Sequence, residues 1–232
     1  MDQKTILSSR SQVSESSFLS KVFLWMAVGL GISAAGSFWL VSQPALLKAV
    51  FTNMWIFFAL IIAEVGLVVW LSAAALSMSA ALAMFLFGVY SFLNGVTLTS
   101  VLLLYTGASV LTTFAITGAT FLFFSVYGAT TKKDLTSIGN LAMMGLIGVI
   151  IASVVNMFLK SPAMMWIVTF VGIAVFLGLV AYDTQKLKAI HAMGFQNEEI
   201  EKKTVILGAL TLYLDFINLF ILLLRIFGKR RD

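Results

Sequence analysis

Two aspartates lie within long apolar stretches in the last quarter of this 232-residue sequence. Asp183 occurs in the segment Ala181–Gln185, and Asp215 occurs in Leu212–Asn218. A carboxylate deep in a bilayer costs about 2.5–3.5 kcal/mol on insertion scales. A membrane span keeps such a residue for chemistry, for ion handling, or as one half of a structural pair, and the remaining sequence bears on which of these applies.

The two carboxyls would form a coupled pair if their helices bring them together. Burial disfavours the ionised form of a carboxyl, and a second carboxyl in the same site disfavours it further, so Asp183 and Asp215 would share one proton near neutral pH. Such a pair acts as a latch, because it holds two helices together while it shares the proton and repels itself, or admits a cation, once both groups are ionised. Carboxylate oxygens suit Ca²⁺, but two carboxylates fall short of the about six to eight oxygens of a tight site. We therefore expect permeation or weak, transient Ca²⁺ binding at this pair.

The composition predicts an all-α, polytopic integral membrane protein. The sequence is 60% hydrophobic and 11% charged, whereas a soluble domain carries about 25% charged residues. Cysteine is absent, which excludes disulfides and thiolate metal sites. The net charge of +5 resides in loops, where lysine and arginine orient the chain and contact anionic lipid, so we expect a bilayer and not nucleic acid as the partner. We expect neither an enzyme nor a bound cofactor, because phosphate-loop, zinc-protease and nucleophilic-triad motifs are missing.

The hydrophobic pattern predicts seven spans in one domain. Residues 1–20 are polar and Ser-rich and predict a mobile tail, residues 21–228 form a single transmembrane domain, and residues 229–232 form a basic tail. A loop of about 20 polar residues separates the last two spans. The spans lie near Val22–Val41, Trp55–Leu71, Ala80–Leu104, Val110–Tyr127, Ile138–Phe158, Met164–Tyr182 and Val205–Phe227.

The distribution of lysine and arginine predicts a cytoplasmic N-terminus. Seven crossings place nine of these residues on the N-terminal side and five on the other side, and the richer side faces the cytoplasm. A last segment that re-enters the membrane would give a stronger bias, but its backbone would need cover from protein or water. We favour a full crossing because the last apolar run, Val205–Phe227, is long enough for one.

Further polar residues lie within the predicted spans. Asn218 and Arg225 follow Asp215 on one helical face, which predicts a polar stripe that faces the bundle interior or a watery cavity. Glu64 lies about midway along the second span, and three interpretations stay open: it faces the same cavity, it pairs with Arg225, or it is protonated and hydrogen-bonded to a neighbouring helix. His191, the single histidine, lies in a charged loop and is expected to be solvated.

The segments around the two aspartates resemble the signature of the Bax inhibitor-1 family, also described as the transmembrane Bax-inhibitor-motif group, in its bacterial branch. The similarity is carried by Gly178–Gln185 and Gly208–Phe220, with support from Arg225–Gly228 and Thr131–Leu135, and it covers most of residues 20–230. It implies a seven-helix bundle with the last helix central, in the inner membrane of a bacterium.

The resemblance also implies a function for the aspartates. Members of this family are pH-sensitive calcium leaks in which the paired aspartates, here Asp183 and Asp215, form the sensor and the latch. In some bacterial relatives an arginine after the second span joins the closed latch, but no basic residue follows Glu64 in the segment Leu71–Leu76. The pairing of the two aspartates with each other is therefore expected to matter more here.

Two other functions compete with the leak. Family members are linked to stress protection and to a membrane quality-control protease, so the chain would be a non-conducting regulator that binds a membrane protein through Glu198–Lys203. Intramembrane aspartyl proteases also place a Tyr-Asp pair and a second aspartate on consecutive spans. Those enzymes carry Gly-x-Gly-Asp at the second position, whereas this chain has Leu212–Asp215.

Overall fold

The computed structural model describes the backbone of residues 3–231 and the side chains of residues 15–231, and this part of the chain is built from helices. Seven of the eight helices are long and apolar enough to cross a membrane, as the sequence predicts; the exception is α2. Apart from one isolated bridge between Tyr105 and Arg230, these residues form no β structure. The helices are α1 (Gln3–Val41), α2 (Pro44–Thr52), α3 (Met54–Ala74), α4 (Ala80–Leu102), α5 (Gly107–Thr130), α6 (Thr136–Leu159), α7 (Pro162–Ala192) and α8 (Glu198–Phe227).

The first helix replaces much of the predicted mobile tail. The side chains of residues 1–14 lie outside the described part, but residues 15–20 continue α1, and Phe18 and Leu19 are buried. The ring of Phe18 stacks on His191 at a centroid distance of 4.9 Å and lies 5.5 Å from Phe195. Residues 15–20 are therefore anchored to the packed protein through the buried side chains of Phe18 and Leu19. His191 is half-buried, so the prediction that it is solvated is wrong.

The short helix α2 was not predicted from the sequence. Pro44 occupies its first position, where the missing backbone N–H costs no hydrogen bond. None of its residues is buried, so α2 carries no core signal that a hydrophobic pattern would reveal. Asn53 then separates α2 from α3, and its side-chain oxygen accepts a hydrogen bond from the Trp55 N–H at 3.1 Å.

The last two helices extend into the predicted polar loop. Helix α7 continues to Ala192 and α8 begins at Glu198, which leaves only the segment 193–197 between them. Charged residues stabilise the new helical turns, since Glu198 pairs with Lys202 one turn later at 3.0 Å. Acidic residues in the first turn of α8 also complement the helix dipole. The predicted loop of about 20 residues is therefore mostly helix.

Helix α8 is a single continuous helix and the most buried of the seven. Its apolar window is 72% buried, compared with 6% for α3 and for α6, which agrees with the expectation of a central last helix. Near its start, Glu199 accepts a hydrogen bond from the Ala80 N–H at the beginning of α4. Beyond its end, the Lys229 carbonyl accepts one from the Thr106 N–H just after α4. The helix is long and apolar enough for a full crossing, and residues 198–227 show no break for a re-entrant turn.

The residues group into two compact units, and each draws on both α7 and α8. The first contains the chain up to Leu104 together with Ile190–Tyr213, and the second contains Tyr105–Ala189 together with the chain from Leu214. Because neither unit is one continuous stretch, the single domain predicted over residues 21–228 stays a prediction. The core of the second unit is formed by Ala142, Val175, Phe176, Leu179, Leu219, Leu222 and Leu223.

Candidate functional site

Asp183 lies in the second unit, where two glycines let neighbouring helices approach α7 closely. Gly128 of α5 lies against the backbone carbonyl of Ala181, so that a Cβ at this position would collide with it. Gly139 of α6 lies against the ring of Tyr182 in the same way. Such close approach needs residues without side chains. The two glycines thus fix the stretch of α7 that carries the half-buried Asp183.

The loop between α5 and α6 is tied to α7 just beyond this aspartate. The side chain of Gln185 donates to the Lys133 carbonyl at 2.8 Å and accepts from the Leu135 N–H at 2.9 Å. Both backbone groups would otherwise need solvent or another partner. The amide of Gln185 therefore holds the Thr131–Leu135 segment, which is part of the family signature, against the helix that carries Asp183.

Asp215 is buried on α8 within the same unit. Its side chain is only 5% exposed. The next residue, Phe216, makes edge-on ring contacts with Phe114 and Phe121 of α5 at centroid distances of 5.2 and 5.5 Å. Aromatic pairs at such distances and angles are favourable beyond the apolar area that they bury. This aromatic cluster fixes the rotation of α8 at the position of Asp215.

The structure places the carboxyl groups of Asp183 and Asp215 close enough to interact directly. Two carboxylates are both acceptors, so a hydrogen bond between them requires one proton on the pair. Without this proton, two charges at about 3 Å and an effective dielectric constant of about 20 would repel by about 5 kcal/mol. The proximity on which the latch prediction depends is therefore present in the fold.

A lysine interacts with one member of this pair. Lys186 follows Asp183 by three residues on α7 and interacts electrostatically with its carboxyl. Its ammonium lies 6.0 Å from the centroid of the Tyr182 ring, at the outer limit of a cation–π contact. Lys186 is exposed, so water and salt weaken its attraction for Asp183.

Asn218 and Arg225 do not extend the pair along α8 as predicted. The amide of Asn218 donates to the Leu214 carbonyl at 2.8 Å, so its hydrogen bond stays within its own helix. Arg225 lies exposed in the last turn of α8, where a cation complements the helix dipole. Arg225 is therefore not buried in the protein interior, and the prediction of a polar stripe that faces the interior or a watery cavity stays a prediction.

Glu64 belongs to a separate polar cluster in the first unit. The Asn94 amide donates to Glu64 at 3.3 Å, and the Tyr213 hydroxyl donates to the Asn94 carbonyl oxygen at 2.8 Å. The Tyr213 hydroxyl also lies 2.7 Å from the Ser33 hydroxyl. The contact with Asn94 agrees with the third interpretation of Glu64, in which it bonds to a neighbouring helix, and its pairing with Arg225 stays a prediction.

Ser33 and Tyr213 were missed as members of a polar cluster. Ser33 lies in a run of small residues and Tyr213 in an apolar motif, so neither stands out by composition. A tyrosine that precedes a buried aspartate by two residues was the only available signal. Among residues 15–231, histidine, cysteine, aspartate and glutamate form no group of three or more that could hold a metal ion.

Comparison with known proteins identifies the family. Residues 15–232 match the family described as "Inhibitor of apoptosis-promoting Bax1". The chain is 48% identical to the inner membrane protein YbhL of Escherichia coli over 218 residues, which cover 92% of each chain. It is 43% identical to a protein of Borreliella burgdorferi, with 93% of each chain covered, and 40% identical to protein RP147 of Rickettsia prowazekii, with 93% of this chain and 90% of the relative covered. The chain therefore belongs to the Bax inhibitor-1 family.

Proposed function

We propose that this protein is a pH-sensitive cation leak with Ca²⁺ as its permeant ion, and that the pair of Asp183 and Asp215 is its latch. The close approach of the two carboxyls is the observation that supports this proposal. Asp215 is buried, so its charge cannot be fully screened by water. The state of one shared proton therefore determines whether α7 and α8 attract or repel each other at this point.

The proposed cycle follows from charge. At acidic pH the pair holds its proton, the carboxyls stay bonded and the leak is closed. As the pH rises the proton leaves, and the repulsion of about 5 kcal/mol is relieved by separation of the helices or by an entering cation. Two carboxylates offer fewer oxygens than Ca²⁺ prefers, so the ion passes the pair and is not retained.

We further propose that the protein resides in the inner membrane of a bacterium with its N-terminus in the cytoplasm. The name of the relative YbhL places that relative in the inner membrane, and the excess of lysine and arginine on the N-terminal side supports the orientation. Asp183 would then lie near the cytoplasmic face, so the latch would respond to cytoplasmic pH.

Calcium flux into proteoliposomes tests the proposal. We expect the flux of the wild-type protein to rise about tenfold or more from about pH 6 to about pH 8, since a bias of about 1.4 kcal/mol changes an equilibrium tenfold. Asp215→Asn should abolish this dependence and stay closed, because an amide donates to Asp183 without a titratable proton. Equal flux and equal pH dependence in the wild type and in this variant would refute the latch.

Asp134→Asn provides the matched control, because it removes the same charge from the exposed loop between α5 and α6. The hydroxyl of Thr136 donates to Asp134 at 2.6 Å and the Thr136 N–H donates at 2.9 Å. These hydrogen bonds lower the pKa of Asp134 below its ordinary value, so it stays ionised throughout the assay. We expect the control to keep the wild-type pH profile, and a flattened profile would mean that net charge alone controls the flux.

The regulator hypothesis assigned partner contacts to Glu198–Lys203. In the first unit these residues have partners within the chain, since Glu201 pairs with Lys21 at 2.7 Å and Glu199 accepts from the Ala80 N–H at 2.7 Å. Because these side chains already have partners within the chain, they are less available to bind another protein, which favours the leak over the regulator. A phenotype that survives neutralisation of both aspartates but fails when this segment is altered would favour the regulator instead.

The protease hypothesis and the leak hypothesis use the same pair of carboxyls. They differ in whether the pair catalyses the hydrolysis of a peptide bond. We propose that the pair performs no hydrolysis, because its second aspartate lacks the Gly-x-Gly-Asp context of those enzymes. Labelling of the protein by a transition-state analogue of aspartyl proteases, or cleavage of a helical substrate, would contradict this assignment.

A further inference from the structure

A chain of hydrogen bonds in the first unit ends at the carboxyl of Glu64. Glu64 is only 9% exposed on α3. The chain runs through Asn94 on α4, Tyr213 on α8 and Ser33 on α1. The Ser33 hydroxyl ends it between two backbone carbonyls, that of Ser91 at 2.7 Å and that of Gly29, in its own helix, at 3.0 Å. Both ends of this chain are therefore oxygens that accept hydrogen bonds.

The number of hydrogens available to the chain indicates whether the carboxyl of Glu64 is protonated. The chain has four contacts, of 3.3, 2.8, 2.7 and 2.7 Å from Glu64 to the Ser91 carbonyl, and each contact needs one hydrogen. The hydroxyls of Tyr213 and Ser33 supply one each, and the Asn94 amide directs its NH₂ to only one of its two neighbours. An ionised Glu64 therefore leaves one contact between two acceptors, whereas a protonated Glu64 supplies the missing hydrogen.

The orientation of the Asn94 amide follows from this count. With Glu64 ionised, the NH₂ group faces the carboxylate and Tyr213 donates to the amide oxygen, so Ser33 can serve either Tyr213 or the Ser91 carbonyl but not both. With Glu64 protonated, the carboxyl donates to the amide oxygen and the NH₂ group donates to Tyr213. Each of the four contacts from Glu64 to the Ser91 carbonyl then holds a hydrogen, and the Gly29 carbonyl shares the hydrogen of Ser33. The two arrangements differ by exchange of the amide N and O positions, so no helix has to move.

Other charges do not offset an ionised Glu64. The titratable groups that face it are the phenols of Tyr90 and Tyr213. Helix α4 carries no charged residue. Lys48 on α2 is exposed, and Lys203 on α8 donates to a backbone carbonyl beyond the end of α3. The groups that can donate to Glu64 are the Asn94 amide, at 3.3 Å, and the Thr97 hydroxyl. A buried carboxylate that has only these two neutral donors and no cation beside it is poorly compensated.

We propose that Glu64 is a proton-binding site that stays protonated at neutral pH, and that the Asn94 amide turns over when the proton leaves. This site is separate from the aspartate pair and does not depend on calcium conduction. Glu64 is then a second carboxyl that binds a proton, within a predicted span. The direction of the hydrogen bonds along the chain depends on whether this proton is bound.

Carbon-13 NMR of wild-type protein in lipid, labelled only at glutamate, tests the proposal. The sequence holds five glutamates, and we expect one side-chain carboxyl resonance to keep its protonated position at about pH 7 while the others are ionised. Glu64→Gln should remove that resonance. If all five resonances are at the ionised position, the proposal is wrong. Aspartates are unlabelled, so this outcome is independent of the latch.

Tyr213→Phe tests the chain itself. The substitution removes one hydroxyl and keeps the ring that packs on Phe87 and Tyr90. The Asn94 amide can then donate to an ionised Glu64 while Ser33 serves the Ser91 carbonyl, and no contact lacks a hydrogen. We expect the proton affinity of Glu64 to fall about tenfold, as the loss of one hydrogen bond implies.

Tyr127→Phe is the matched control, because Tyr127 is 43% exposed on α5 and lies outside the chain. It should leave the titration of Glu64 unchanged. If Tyr213→Phe and Tyr127→Phe give the same titration as the wild type, the hydrogen-bonded chain does not hold the proton and the proposal fails.

Discussion

At the scale of single residues, the protein uses two kinds of buried carboxyl. Asp183 and Asp215 contact each other, so loss of their proton creates repulsion between two helices. Glu64 contacts an amide, so loss of its proton leaves one hydrogen bond unmade but creates no like-charge pair. The first arrangement is suited to moving helices, and the second is suited to holding a proton without movement.

Lys186 should tune the aspartate latch. Its positive charge favours the ionised form of Asp183, so Lys186→Gln should move the midpoint of the pH-dependent calcium flux to higher pH. Lys186 is exposed, so its effect should not exceed about 1 kcal/mol, which is less than about one pH unit. Lys132→Gln, in the loop after α5, is the control. A midpoint that moves to lower pH, or moves equally in both variants, would contradict this role.

The residues found from the sequence are those that conflict with their surroundings. Asp183, Asp215 and Glu64 stand out because charged groups are costly in apolar spans. Ser33 and Tyr213 could not be found in this way, since hydroxyls are tolerated in membrane helices and only the fold brings them to a common chain. The sequence therefore predicted which residues are chemically unusual in a span, but it did not predict which side chains of different helices contact each other.

At the scale of helices, close contact between α5 and α7 positions Asp183. A Cβ at Gly128 would collide with the backbone carbonyl of Ala181, which cannot rotate away as a side chain can. Gly118 lies on the same helix, and a Cβ at that position would meet no atom within 4 Å. Alanine substitutions at these two glycines therefore distinguish the effect of contact between helices from the effect of helix propensity.

Gly128→Ala should destabilise the protein by about 1–3 kcal/mol, the usual cost of overpacking, and should weaken the pH dependence of the flux by displacing Asp183. Gly118→Ala should be neutral or stabilising by up to about 1 kcal/mol, because alanine favours helix. Unfolding in detergent measures both. Equal stability of the two variants would show that α5 and α7 are not held by this contact.

The sequence predicted the number of spanning helices but not the lengths of the helices. Seven apolar runs each exceed the length of a bilayer crossing. Polar residues 186–204 predicted a loop, yet ion pairs one turn apart and contacts with α1 and α4 keep most of them helical. Hydropathy records the cost of a residue in lipid and carries no information about polar residues that extend a helix into water.

At the level of the whole molecule, seven crossings would place the two ends of the chain on opposite sides of the membrane. The sequence contains no cysteine, so single cysteines can report the side of each loop. A cysteine at Lys133 should react with an impermeant maleimide from the cytoplasm, whereas cysteines at Lys160 and Arg231 should react from the other side. Reaction of Lys133→Cys and Arg231→Cys from the same side would overturn the seven-span topology.

The central claim is that Asp183 and Asp215 share one proton, and carbon-13 NMR of protein labelled only at aspartate tests it most directly. We expect two carboxyl resonances to titrate together in two separate steps, and we expect Asp215→Asn to convert the titration of Asp183 into a single step. Asp134→Asn should leave both steps intact. If Asp183 titrates in one step in the wild type and Asp215→Asn does not alter it, the two carboxyls are independent and the latch does not exist.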